Sequence, residues 1–331
     1  MNYYIESQST DPAFNLALEQ FVFDSLDRNA NYFMLWQNDN SIIVGKHQNT
    51  TAEINTSYVN AHNIKVVRRL SGGGAVYHDL GNLNFTFITD ANNDNSIDLK
   101  KFCLDIQKTL NALGVPAEIS GRNDITIGGC KISGNAQYVK QGRVMHHGTL
   151  LYDSDLDMLS KALNVQNDKI ESKGVKSIKS RVTNIRKYIK PDMTLNDFKT
   201  ALKNHCFAEF DLSEYNLSAQ ENNEVEKIKE RIYSRWSWNY GASPPYNIRK
   251  NRLIEGCGNI EILIDVAKEG IIKNITVYGD FFGSDDLNEL TGIIKGCRYE
   301  YNELANLLMN TDTSRFFYNL DTGMFLSLLF Y

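Results

Sequence analysis

The sequence predicts an α+β fold: mixed, mostly antiparallel sheets with flanking helices, followed by a smaller α+β unit. Two observations carry the first part. Helices with one apolar face alternate with strand-like runs, and consecutive runs are joined by glycine-containing turns. The third observation is the segment "WSWNYGASPPYN", whose aromatics, Gly, Ser and Pro pair interrupt regular structure and beyond which the pattern restarts. The chain is therefore divided into residues 1–240 and 241–331.

In chain order, Asp11 is placed as an N-cap with Pro12 at the first helical position, and Phe14, Leu18, Phe21, Val22 and Leu26 repeat on one helical face. "YFMLW" and "SIIVGKH" are β-rich, and the "QNDN" between them carries turn-forming side chains, which predicts a hairpin. "IKVVRRL" and "NLNFTFIT" read as strands flanking a glycine stretch. From Ile97 to Leu113, Leu99, Phe102, Ile106 and Leu110 have helical spacing, and Gly114 stands where a C-terminal cap belongs. "NDITI", "CKISGNAQYV" and "GRVMHHGTLLY", joined by "GG" and "KQG", predict a second antiparallel meander. Helices are expected at about Leu156 to Leu163, Leu195 to Phe207 and Ala219 to Ser234. After the break, "NIEILIDVAKEGIIKNITVYGDFF" is strand, Lys-Glu-Gly turn and strand. Helices near Asp286 to Lys295, Tyr301 to Met309 and Leu320 to Leu329 complete the smaller unit.

A net charge of -5 gives no broad basic footprint, so no nucleic-acid partner is expected and any anion site must be a local cluster. The N-terminal "MNYYIESQSTDPAF" lacks the basic and apolar regions of a secretory signal, and no apolar stretch is long enough for a membrane span, so a cytoplasmic protein without a membrane partner is expected. Five scattered cysteines without a C-x-x-C pair fit reduced thiols. His146 and His147 have no companion at ligand spacing, so no structural metal is expected.

The stretch "VVRRLSGGGAVYHDLGNLNFTF" sets two arginines and three consecutive glycines after a strand. It is not a dinucleotide fingerprint, because the residues after the glycines read as loop and strand rather than helix, and no Gly-Lys-Ser/Thr entry or G-x-S-x-G occurs in the chain. Three glycines strip Cβ atoms from a loop and let backbone N–H groups approach a phosphate or carboxylate. Arg68 and Arg69 alternate across a strand, so one of them should face that site. A tight connection with two solvated arginines is the plain alternative on the glycines alone.

"RRLSGGGAVYHDLGNLNFTF" resembles the signature loop of lipoate-protein ligase A enzymes, and "GRNDITIGGCKISGNAQ" resembles their second signature, which carries the family's central lysine. "ESKGVKSIKSRVTNI" is similar to the loop that closes over the adenylate, and "HHGTLLYD" to the strand between. The likeness runs from "DPAFNLALEQ" to "GDFFG" and "LTGIIKGCRY". It implies a catalytic domain of the fold shared with biotin ligases and class II aminoacyl-tRNA synthetases over residues 1–240, and an accessory domain over 241–331. It also implies a two-step reaction: lipoate and ATP, with Mg2+ accompanying the nucleotide, give lipoyl-AMP, and the lipoyl group passes to a carrier lysine. The carriers it implies are lipoyl domains of 2-oxo acid dehydrogenase E2 subunits or the glycine-cleavage H protein, and a monomer is expected.

By the same resemblance, Lys131 is the central lysine, touching both the lipoate carboxyl and the α-phosphate. Without its flanking motif it would read as a solvated surface charge. Arg69 corresponds to the arginine at the ATP phosphates, with Arg68 structural, and Gly74, Ala75, Val76 and Tyr77 to the run that holds the nucleotide. Gly72, Gly73, His78, Gly134, Ala136 and His147 fall on the lipoate side, although His78 alone reads as a hydrogen-bonded loop histidine. Asp124 is a candidate for the nucleotide's magnesium or for orienting Lys131, and equally for a turn or cap. Lys173, Lys176, Ser180 and Arg181 belong to the adenylate lid; isolated, that segment is a basic loop.

Three alternatives compete. A cysteine-dependent octanoyl or lipoyl amidotransferase of the same fold would need no ATP, and Cys130 adjoins Lys131; yet neighbouring strand residues face opposite sides. A biotin ligase would carry a more basic phosphate loop. A catalytically silent lipoate- or carrier-binding module would have no use for both Lys131 and Arg69.

Overall fold

The structure, a computed structural model, describes residues 1–90, 98–121, 123–163, 181–206, 212–240, 247–267 and 270–330. The chain begins with β1 (Asn2–Glu6), α1 (Pro12–Ser25), β2 (Asn31–Trp36), β3 (Ser41–Val44), α2 (Thr50–Glu53) and α3 (Thr56–Ala61). Next come β4 (Lys65–Arg68), β5 (Val76–His78), β6 (Asn82–Asp90), α4 (Leu99–Ala112), β7 (Glu118–Ser120), β8 (Asp124–Ile127), β9 (Cys130–Lys140) and β10 (Arg143–Leu151). After these lie α5 (Leu156–Ala162), α6 (Leu195–Cys206), β11 (Leu212–Glu214), α7 (Ala219–Ile228) and α8 (Trp236–Asn239). The remainder is β12 (Ile248–Ile254), β13 (Gly258–Val266), β14 (Ile272–Gly279), α9 (Leu287–Ile294), α10 (Tyr301–Leu308) and α11 (Thr322–Phe330).

An eight-stranded sheet of order β11-β1-β2-β6-β10-β9-β8-β7 forms the frame, parallel only where β1 meets β2 and β11. Its two faces obey the strand period of two. Phe33 and Leu35, with Leu83, Phe85 and Phe87, pack on one side with Ile106 and Leu110 of α4 and Phe198 of α6. Tyr32, Met34 and Trp36 turn to the other side, against Leu16, Ala17 and Phe21 of α1. The meander β8-β9-β10 is as expected: Gly128 and Gly129 have φ of 53° and 79°, and Gln141 and Gly142 have 51° and 73°, which is the left-handed pair a two-residue hairpin turn requires.

The expected hairpin across "QNDN" does not form. β2 lies in the large sheet, whereas β3 pairs in parallel with β4 and antiparallel with β5 in a separate three-stranded sheet, β4-β3-β5. The connection is held open because the Asn15 side chain on α1 donates to the Gln37 carbonyl at 2.8 Å and to Asn38 Oδ1 at 2.9 Å. Asp11 occupies the N-cap position of α1 without capping through its side chain; its carboxylate pairs with Lys65 at 3.3 Å and Lys229 at 3.1 Å. The aromatic segment after α7 is not all loop, since Trp236–Asn239 forms α8. The C-terminal sheet β12-β13-β14 buries Ile260, Ile262, Ile264 and Ile275 with Leu290, Leu304 and Phe325 in its own core.

Candidate active site

Two adjoining cavities lie where the β4-β3-β5 sheet meets strands β9 and β10 of the large one. The first is lined by Leu16, Trp36 and Ile43, by Arg69 and Gly73 to Val76, and by His78, Asn84, Lys131, Gly134, Ala136 and His147 among others. The second is larger and is lined by Ala75 to Tyr77, Asp124, Lys131, Thr149, Arg181 and Val182 among others. Ala75, Val76, Lys131 and Thr149 belong to both. Lys131 therefore stands at the junction of the first cavity, a slot, and the second, a wider chamber.

Local structure puts it there. Between β8 and β9 the pairing steps from Ile125↔Ser133 to Thr126↔Lys131, so Ile132 is the extra residue of a bulge that re-aims the strand beside the site. Lys131 Nζ lies 2.7 Å from Asp124 Oδ1, both side chains being 34% exposed. A Cβ on Gly134 would sit 2.7 Å from Lys131 Nζ and 2.8 Å from its Cε, so the lysine passes over a position only glycine leaves free. The carbonyl of Lys131 accepts from Thr183 N at 3.0 Å, which ties the far end of the expected lid segment to the same strand. Arg181 lines the second cavity; Lys173, Lys176 and Ser180 lie outside the described residues.

Two glycines of the triplet have a steric or backbone reason. A Cβ on Gly72 would strike the Phe281 carbonyl of the C-terminal unit, Gly73 has φ of 86°, and Gly74 faces open space. Gly73 N also donates to the Phe281 carbonyl at 3.3 Å. Arg69 is buried and grips the loop. Its Nη2 donates to the carbonyls of Gly72 at 2.6 Å and Gly74 at 2.8 Å, its Nη1 to Ile43 O at 3.1 Å, and its Nε to Ser71 Oγ at 3.0 Å. It lines the first cavity, not the second. Arg68 points away. It is latched to the carbonyls of Gly45, Lys46, Gln48, Trp238 and Asn239 and to Thr50 Oγ1, which makes α8 part of the loop's support. Burial lowers both guanidiniums to about 10.

A chain of buried polar groups continues from Arg69. Glu19, a carboxylate, only accepts, so His147 Nδ1 carries a proton and donates to Glu19 Oε1 at 2.9 Å, while Ser71 Oγ, accepting from Arg69, lies 2.6 Å from His147 Nε2. Thr86 Oγ1 donates to the same Glu19 oxygen at 2.5 Å and accepts from Trp36 Nε1 at 2.9 Å. Sequence reasoning missed Glu19, Ser71, Trp36, Thr86 and Asn84. A signal existed for Glu19, which falls one helical turn from Leu16 and Val22 on the buried face of α1.

Among the residues expected on the nucleotide side, Arg69 and Gly74 line the first cavity only, Tyr77 and Asp124 the second only, and Ala75 and Val76 both. Gly73, His78, Gly134, Ala136 and His147 line the first cavity, whereas Gly72 packs on the C-terminal unit. Among the described residues no group of three His, Cys, Asp or Glu side chains could hold a metal ion, and no helix is long and apolar enough to cross a membrane.

The chain matches the family described as lipoyl protein ligase A/B catalytic domain over residues 11–207 and that described as bacterial lipoate protein ligase C-terminus over residues 243–329. It is 44% identical over 331 residues to lipoate-protein ligase LplJ of Bacillus subtilis, with 99% of each chain covered. The solved structure of P. falciparum LipL1 in complex with lipoate matches with a TM-score of 0.77 at 26% identity, covering 99% of this chain and 97% of that one. A lipoate-protein ligase A bound with ATP matches with a TM-score of 0.61 at 25% identity, covering 72% of this chain and 98% of that one. Whole-chain similarity to LplJ, together with the two family matches, establishes that this chain belongs to the lipoate-protein ligase family.

Proposed function

We propose that the chain activates lipoate with MgATP to lipoyl-AMP and pyrophosphate, then transfers the lipoyl group to the ε-amine of a lysine on a lipoyl carrier domain. The observation that carries this reading is Lys131 at the junction of the two cavities. On this reading the slot takes the acyl chain and the chamber takes the nucleotide, so the acyl carboxylate and the α-phosphate meet at Nζ. Attack of one anion on another builds negative charge, and a fixed cation with low water access stabilises it. Asp124 holds the ammonium poised at 2.7 Å until substrate oxygens compete for it. The magnesium travels with the nucleotide.

Arg69 then acts on the phosphates indirectly, by fixing the carbonyls of Gly72 and Gly74 and so the direction of the loop's N–H groups. Ala75, Val76 and Tyr77 border the nucleotide, and Arg181 is the described end of the lid. In the second step the adenylate is a good leaving group, and positioning the carrier amine supplies the remaining advantage. The proposed carriers are E2 lipoyl domains or the glycine-cleavage H protein, the proposed setting a monomer in the cytoplasm, and the proposed domains residues 1–240 and 241–331.

The amidotransferase alternative would route the acyl group through Cys130. That residue pairs with Ile127 at the end of the β8-β9 hairpin and lines neither cavity. The deciding experiment is mass spectrometry of apo carrier domains incubated with the protein, lipoate and MgATP. A lipoyl mass shift that vanishes without ATP and survives Cys130→Ser is expected; transfer without ATP would defeat the proposal. Lys131→Ala should abolish pyrophosphate release while leaving the fold intact, and a near wild-type rate would refute its role.

A further inference from the structure

The reaction proposed above ends by acylating the ε-amine of a carrier lysine, and Lys131 brings another lysine ε-amine to the place where the acylating agent forms. The two amines are the same chemical group, so the surroundings of Lys131 must keep it from attacking. Sheet pairing fixes those surroundings. Asp124 opens β8 directly across from Gly134 on β9. The next rung is pinned twice: Asn135 N donates to the Asn123 carbonyl at 2.9 Å, and Asn123 Nδ2 donates to the Asn135 carbonyl at 2.8 Å. The lysine lies over Gly134, and its Nζ reaches Asp124 Oδ1 at 2.7 Å. Among the described residues, Asp124 is the one carboxylate in ion-pair contact with Lys131.

The charge around Nζ changes during the first step. Before it, the acyl carboxylate and the α-phosphate both present negative oxygens to the ammonium. After it, pyrophosphate has carried most of the negative charge away, the acyl carbonyl is neutral, and a single negative charge stays on the phosphate of the adenylate. The mobile charges that stabilise the ammonium thus diminish at the moment the adjoining carbonyl becomes an acylating agent. Resting on the reading that the acyl carboxylate and the α-phosphate meet at Nζ, we propose that Asp124 protects Lys131 from acylation by the protein's own lipoyl-AMP. Its carboxylate, fixed by the pairing of β8 with β9, retains the proton on Nζ, and an ammonium has no lone pair with which to attack. In the step so prevented, the free amine of Lys131 would bond to the acyl carbon and the bond from that carbon to the AMP oxygen would break. AMP would leave with the electron pair, and the surplus proton on nitrogen would pass to water. The product, a lipoyl amide on Lys131, would replace the cation of the site by a neutral group.

Asp124→Asn tests this, because it keeps the shape of the side chain and an oxygen acceptor and removes only the charge. Incubated with lipoate and MgATP and no carrier, the variant should gain one lipoyl mass increment on the peptide containing Lys131 and lose ATP-pyrophosphate exchange as the mark accumulates, while wild type stays unmarked. Asp124→Asn combined with Lys131→Arg should remain unmarked, which locates the acylation. Synthetic lipoyl-AMP, supplied directly, bypasses any defect of the variant in the first step, and the mark on Lys131 is expected there too. Lys131 left unmarked in Asp124→Asn under excess lipoyl-AMP overturns the proposal, whether or not activity has fallen, and so does wild type marked at Lys131 at the same rate. Wild-type protein that releases no pyrophosphate with lipoate and MgATP removes the ligase reading and this inference with it. An active wild type beside an unmarked Asp124→Asn removes the inference alone.

Discussion

Gly134→Ala isolates the placement of Lys131 from the stability of the fold. The added Cβ would stand 2.8 Å from Lys131 Cε and 2.7 Å from Nζ, whereas non-bonded carbons settle at about 3.5–4.0 Å. The lysine tip must retreat by roughly 0.7 Å or more to restore that spacing. Gly134 has no left-handed φ, and the atoms in the way end a flexible side chain, so the sheet need not move. Alanine also loses less backbone entropy than glycine on folding. The expected outcome is a thermal midpoint near or above wild type with a fall of roughly 10- to 100-fold in kcat/KM, since a displacement of about 1 Å at a reacting group costs on that order. ATP-pyrophosphate exchange with lipoate reads the first step directly. In a Lys131→Ala background the same substitution should change little further, because the two act on one contact. Full exchange activity in Gly134→Ala, or loss of activity only in proportion to loss of folded protein, would refute the placement.

Gly72→Ala should behave oppositely. Its Cβ would meet the Phe281 backbone rather than a side chain, so thermal stability and activity should fall together, as a melt and an exchange assay on the same sample would show. Glu19→Leu strands the donors of His147 Nδ1 and Thr86 Oγ1, each worth about 1–3 kcal/mol when buried, and should cost roughly 2–6 kcal/mol in urea unfolding. Burial holds His47, His78 and His146 at about 3, below their ordinary 6.5. The unfolded chain binds these protons before the folded one, so stability is full above about pH 6.5 and is lost as pH falls toward 3, at about 1.4 kcal/mol per unit per histidine. Denaturant midpoints should therefore drop between pH 6.5 and 5 by the equivalent of about 5 kcal/mol for the three, and His146→Gln should shallow that slope by about one proton.

Local chemistry was legible in the sequence, and long-range partnership was not. The turns at Gly128-Gly129 and Gln141-Gly142 require left-handed backbone, and their composition says so. The short strand β5 is buried inside the glycine stretch and is a strand only because β3 offers it an edge, so "AVYH" reads as loop. The misplaced hairpin has the same origin: β2 and β3 carry equally good strand patterns, and the choice of sheet is made by Asn15 from the preceding helix. Likewise β6 alternates Leu83, Phe85 and Phe87 with Asn82, Asn84 and Thr86, which reads as a half-solvated strand. Both faces are buried, and the polar one faces α1 and the first cavity.

The two cations that the sequence singled out illustrate why a motif does not by itself assign a role. Arg69 is locked by four hydrogen bonds, and two of them go to glycine carbonyls that no side-chain pattern reveals. A cation so engaged contributes a steady positive field and a rigid loop, and it cannot track a reacting oxygen without releasing both glycine carbonyls. Lys131, held at its tip by a half-exposed carboxylate above an empty glycine, can exchange that partner for substrate at little structural cost. An anion-on-anion reaction needs both kinds of charge, one that sets the geometry in advance and one that moves with the developing bond. Gly72 and Gly134 serve these two separately, which is why the same Gly→Ala change should damage the fold at one position and only the chemistry at the other.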